Sequence, residues 1–217
     1  MRKNFAFTAA VLICLAALPA AAQTPFYEVT LRAVRMQTRS DTGFHESLQN
    51  FTGQVDSATG FGLGATFYVT DSLAIETSGS YIKPDFNVQL FDAVGPTSTQ
   101  SLTVIPLTLG AQLHFGNRQP LDFYVGAGGA YVLFGNVDST ELANRDVGDI
   151  KIDDAGGWMV NGGANISLAR SFALNVDVKY LGVKPKGSVQ FVRGEFTDRR
   201  DVDLRPLLIS AGVTWRF

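Results

Sequence analysis

Apolar and polar residues alternate with a period of two along eight stretches of the chain: 26–38, 59–70, 72–83, 102–115, 121–135, 157–169, 171–183 and 204–217. In the last, Leu207, Ile209, Ala211, Val213, Trp215 and Phe217 share one face, opposite Ser210, Gly212, Thr214 and Arg216. In 171–183, Phe172, Leu174, Val176, Val178 and Tyr180 alternate with Asn175, Asp177 and Lys179. Successive side chains of a strand point to opposite faces, so each stretch predicts a β-strand with one apolar side. No long segment carries the periodicity of an amphipathic helix. The connections segregate by length. Thr70-Asp71-Ser72, Gly116 to Pro120 and Ala169-Arg170-Ser171 are short, whereas 39–58, 84–101, 136–156 and 184–203 are long and polar. This layout predicts an all-β fold, an eight-stranded antiparallel up-and-down transmembrane β-barrel with short periplasmic turns and four long extracellular loops.

The aromatic residues separate a membrane barrel from a soluble one. With the apolar faces outward, Tyr27, Phe67, Phe115, Phe123, Phe172, Trp215 and Phe217 fall at the short-turn edge. Phe61, Tyr81, Tyr131, Trp158 and Tyr180 fall at the other edge. Two such girdles are what membrane–water interfaces select, because an aromatic ring there has one apolar and one wet side. A packed core would scatter these rings along the strands.

Residues 1–22 predict an export signal. Arg2 and Lys3 form the basic start, Phe5 to Leu18 the apolar run, and Pro19-Ala20-Ala21-Ala22 a small-residue cleavage site. The apolar run is shorter than the ~20 residues that a membrane-spanning helix needs. The expected organisation is therefore a signal peptide, 1–22, and a barrel domain, 23–217. Cys14, the only cysteine, lies in the signal, so the exported chain forms no disulfide. Charge adds little: 18 Lys+Arg against 20 Asp+Glu provide no basic excess for nucleic acid.

Several stretches resemble the OmpW family of small bacterial outer-membrane proteins. They are Tyr124-Val125-Gly126-Ala127-Gly128-Gly129-Ala130-Tyr131, Leu174-Asn175-Val176-Asp177-Val178-Lys179-Tyr180 and the closing Ala211-Gly212-Val213-Thr214-Trp215-Arg216-Phe217. The resemblance implies the bacterial outer membrane as location and recognition of the terminal Phe217 by the barrel-assembly machinery. It also implies uptake of small hydrophobic molecules, with sideways release into the membrane in some relatives.

An eight-stranded barrel is wide enough only to be filled by its own side chains or to hold one small ligand. Toward the periplasm the inward positions carry Glu28, Arg32, Glu76, His114, Asp122, Asp177, Lys179 and Arg216. Mixed charges at close quarters predict an ion-paired plug. Toward the outside they carry Val34, Met36, Ile82, Leu102, Val104, Val132, Phe134, Met159, Leu181, Val183 and Leu208, with Gly60, Gly62 and Gly64 expected to leave space. Two readings stand: a packed upper barrel, or a cup for a hydrophobic ligand. Pro106 lies inside a strand and has no N–H to donate, which predicts a bulge or a lateral gap in the wall. A gap would let an apolar ligand leave sideways; a harmless bulge or a water-bridged gap would do nothing.

Other chemistry is sparse. His45 and His114 are the two histidines, and neither sits at motif spacing from a nucleophile. No cofactor and no metal is expected, and an enzyme is not. The loop at 136–156 is acidic (Asp138, Glu141, Asp146, Asp149, Asp153, Asp154) and that at 184–203 basic (Lys184, Lys186, Arg193, Arg199, Arg200). Read functionally, these would take divalent cations and lipopolysaccharide phosphates; read plainly, they are solvated surface. The expected partners are outer-membrane lipid and lipopolysaccharide together with a small hydrophobic ligand. The main reading is a passive conduit for such ligands. Its alternative is a plugged structural or adhesive barrel of the OmpX type, binding partners through its loops.

Overall fold

The computed structural model describes residues 27–38, 51–90, 98–116, 120–135, 147–191, 197–201 and 205–217. The signal segment, Cys14 and His45 lie outside them. The described residues form fourteen strands and no helix. Eight of these close a barrel: β1 (Tyr27–Gln37), β3 (Ala58–Tyr68), β4 (Leu73–Ile82), β7 (Val104–His114), β8 (Leu121–Phe134), β10 (Ala155–Ala169), β11 (Phe172–Val183) and β14 (Leu207–Arg216). Around the wall they run β1-β14-β11-β10-β8-β7-β4-β3, each pair antiparallel. Lipid offers backbone groups no hydrogen bonds, so the sheet must close on itself. Closure is made by β1 against β14, with Glu28 opposite Arg216, and the Phe217 N–H donates to the Tyr27 carbonyl at 3.0 Å.

The long connections are not simple loops. They contain β2 (Phe51–Val55), β5 (Asp85–Leu90), β6 (Ser98–Ser101), β9 (Val147–Ile152), β12 (Lys186–Phe191) and β13 (Thr197–Asp201). These form two three-stranded sheets, β2-β5-β6 and β13-β12-β9. The first continues the ladders of β3, β4 and β7 beyond the barrel, and the second those of β10, β11 and β14. The long polar connections are therefore strand in part. A strand leaving the membrane still has backbone groups to pair, but no lipid forces its outer positions to be apolar, so the sequence reads as a polar loop.

The outer wall is apolar. Leu31, Leu63, Leu109, Val125, Val160, Val176 and Val213 keep between 37% (Val213) and 61% (Leu109) of their surface exposed. Both girdles form, with ring pairs Tyr27–Phe67 and Phe172–Trp215 at the short-turn edge and Phe61–Tyr81 and Trp158–Tyr180 at the other. Inside, Gly110 and Gly128 face each other across β7 and β8, and Met159 fills the room they leave. A Cβ on Gly110 would stand 2.8 Å from Met159 Cε and 2.7 Å from the Ala127 carbonyl. Gly110→Val is expected to destabilise the barrel by about 1–3 kcal/mol through overpacking. A Cβ on Gly129, on the outer face, would meet nothing nearer than the Gly157 carbonyl at 3.9 Å, so Gly129→Ala should leave the urea midpoint unchanged.

Candidate functional site

The lower lumen is a polar plug assembled from opposite walls. Glu76 of β4 accepts a hydrogen bond from Arg32 Nη1 of β1 at 2.7 Å and from Gln112 Nε2 of β7 at 2.9 Å, and it pairs with Lys179 of β11. Arg32 Nε donates to Asn175 Oδ1 at 2.9 Å. Asn175 in turn donates to Asn165 Oδ1 at 2.8 Å and to the Tyr124 hydroxyl at 3.0 Å. Asp177 Oδ2 accepts from the Tyr124 hydroxyl at 2.9 Å and from Asn161 Nδ2 at 3.0 Å. Nearer the short turns, Arg216 Nε donates to Glu28 Oε1 at 2.8 Å. His114 Nδ1 lies 2.7 Å from Asp122 Oδ2, and the Thr30 and Thr214 hydroxyls share a 2.8 Å hydrogen bond.

All the expected plug residues are therefore brought together, and each acid has a basic or amide partner. This is how buried charge is tolerated, because an isolated ion would lose its hydration with nothing in return. Tyr68, Gln112, Tyr124, Asn161, Asn165 and Asn175 also belong to the plug. Their inward parity was the signal for them. Charge alone draws attention to the ions and passes over the amides and phenols that link them.

Above the plug, the eleven apolar residues expected there pack against one another. Met36, Ile82, Leu102, Val132, Leu181 and Val183 are fully buried, and Phe134 lies at the partly buried margin. Val55 and Ile152, from segments that read as loops, complete the cluster. Both stand where the outer sheets join the barrel, and with Leu102 they close it from above. The glycines expected to leave space do not leave it empty. A Cβ on Gly62 would stand 2.7 Å from Ser80 Oγ, and one on Gly64 3.3 Å from Arg32 Nη1.

Among the described residues the wall is irregular at two places: a register shift between Ser167 and Ala169 at the short-turn end of β10, and a lapse in the upper half of the β4–β7 ladder. The β4–β7 ladder pairs Gly79 with Leu107 and resumes at Ile82 with Val104, leaving Ser80-Tyr81 unpaired against Ile105-Pro106. On the other side, Pro106 stays in register with Val132 of β8. Both strands advance three residues across the lapse, so there is no bulge. The missing N–H of Pro106 accounts for it. Pro106 itself is buried, on the lumen side.

Of the loop charges expected to meet cations or phosphates, Asp138, Glu141, Asp146 and Arg193 lie outside the described residues. Lys184 and Lys186 are exposed at the outer rim.

Similar proteins share this architecture. OprG of Pseudomonas aeruginosa superposes with a TM-score of 0.74 at 18% identity, over 91% of this chain and 98% of that one. AlkL, whose structure was determined in lipid bilayers, gives 0.66 at 20% identity over 93% and 94%. OmpW of E. coli gives 0.52 at 23% identity over 88% and 97%. These are likenesses of fold. In sequence, the uncharacterised outer-membrane protein y4mB of Sinorhizobium fredii is 29% identical over 158 residues, 71% of this chain. The aligned part spans 64% of that relative's length. Residues 26–217 match the OmpW family profile from first strand to last, and the chain belongs to the OmpW family of bacterial outer-membrane proteins.

Proposed function

We propose that this barrel is a passive conduit that takes small hydrophobic molecules from outside the cell and releases them sideways into the outer membrane. The observation that carries the reading is the lapse in the β4–β7 ladder at Pro106. The plug beneath it, with Glu76 1% exposed and Asp122 fully buried, blocks the axis toward the periplasm. A ligand among the apolar residues above the plug has the wall as its way out, and the other seven ladders of that wall have no gap at this depth. Ligand would be admitted by parting Val55, Leu102 and Ile152, which cover the cluster.

The test is a reversible lock. Tyr81 and Ile105 hold the opposed register positions across the lapse, so a disulfide between cysteines placed there would clamp the two strands together. Tyr81→Cys/Ile105→Cys should take up an apolar fluorophore like wild type when reduced. On oxidation, uptake should fall to the level of cells without the protein. Pro106→Val, which restores the N–H, should slow uptake with folding intact. Uptake unchanged by a verified disulfide would sink the lateral route and favour the plugged structural barrel.

A further inference from the structure

Between the plug and the apolar cluster lies a cavity of about 10 Å³, room for one water molecule. Ser80 and Pro106, which flank the lapse, are part of its wall. Val34 and Leu208 line it from the apolar cluster, and Asp177 and Lys179 from the plug. Asp177 is 1% exposed, and both hydrogen bonds described for its carboxylate go to Oδ2. Among the described residues its Oδ1 has no hydrogen-bond partner and lies 3.7 Å from Lys179 Nζ, an ion-pair distance. A buried carboxylate oxygen without a donor is costly and rare, and this one belongs to a residue lining a cavity.

We propose that this cavity is a head-group site for small neutral amphiphiles, molecules with a single hydroxyl on an apolar tail; it rests on the conduit reading above. A hydroxyl would donate to Asp177 Oδ1 and accept from a donor of the wall, reproducing the hydrogen bonds of one water. The tail would lie against Val34 and Leu208 or pass between Ser80 and Pro106. The lining disfavours charged heads. Arg32 and Lys179 oppose a cation, and Asp177 opposes a carboxylate. The plug is thus a floor that recognises the polar end of a solute just inside the lateral opening.

The experiment measures whole-cell uptake of three deuterated solutes, n-octane, n-octanol and its isomer heptyl methyl ether, which accepts hydrogen bonds but donates none. Wild type should take up the alcohol about tenfold faster than the ether, the worth of one hydrogen bond to a charged group. Asp177→Asn keeps the size of the side chain and replaces the carboxylate, and should bring the alcohol-to-ether ratio close to one. Ser80→Ala, which touches no ion pair, should lower the ratio by a smaller factor and carries the test if Asp177→Asn does not fold. An equal rate for alcohol and ether in wild type, or a ratio unmoved in both folded variants, overturns the head-group site while octane uptake still supports the conduit. Octane entering no faster than in cells lacking the protein overturns the conduit, and the head-group site with it.

Discussion

Glu76→Ala is expected to destabilise the folded barrel by about 3–5 kcal/mol, the usual cost of removing one partner from a buried ion pair. Three groups lose their acceptor at once: Arg32 Nη1, Gln112 Nε2 and Lys179 Nζ. Arg32 and Lys179 are 6% and 4% exposed, so neither can turn to water for compensation. Unfolding in urea, followed by the fluorescence of Trp158 and Trp215, reads the effect as a lowered midpoint. A second change, Lys179→Met, should recover part of the loss, because the variant then holds one fewer uncompensated cation. A midpoint equal to that of wild type would mean that the plug is hydrated and that its ion pairs carry no stability. That result would also reopen the axis as a route.

Val176→Arg is expected to cost roughly 2–4 kcal/mol, the price of an arginine near the bilayer midplane. Val176 points outward from the middle of β11 and is 47% exposed. Its register neighbours are Ala164 and Ala211, small and uncharged, so the new cation finds no partner on the wall. Leu168 is more exposed, at 64%, but lies at the short-turn end of β10, where an arginine reaches the interface. Leu168→Arg should therefore cost about 0–1 kcal/mol. Both variants are refolded into vesicles and unfolded in urea against wild type. Equal costs at the two positions would contradict a lipid belt centred on the middle of the strands.

The wall was legible in the sequence because lipid imposes a rule on each strand separately. Phe172, Leu174, Val176 and Val178 alternate with Asn175, Asp177 and Lys179, and parity alone assigns them outward and inward. The aromatic girdles follow from the same parity and the position of the turns. The outer sheets were not legible, because Phe51–Val55 or Lys186–Phe191 lie beyond the lipid and carry no such rule. In the lumen, the inward ions could be collected but not paired. Glu76 and Lys179 are 103 positions apart, and which acid meets which base depends on the stagger of strands around the wall.

By itself the sequence determined the number of barrel strands, which face of each meets lipid, and a proline that must break a ladder. These are local properties, written in alternation, side-chain chemistry and a missing N–H. Only the tertiary structure decided that the lapse falls between β4 and β7 while β7 and β8 stay paired. It also decided that Val55 and Ile152 join the apolar cluster, and that Asp177, whose Oδ1 accepts no hydrogen bond from the described residues, lines a cavity together with Pro106. The reason is geometric. Closing a sheet sets the tilt and stagger of its strands together, so the heights at which side chains meet across the lumen belong to the barrel and to no single strand.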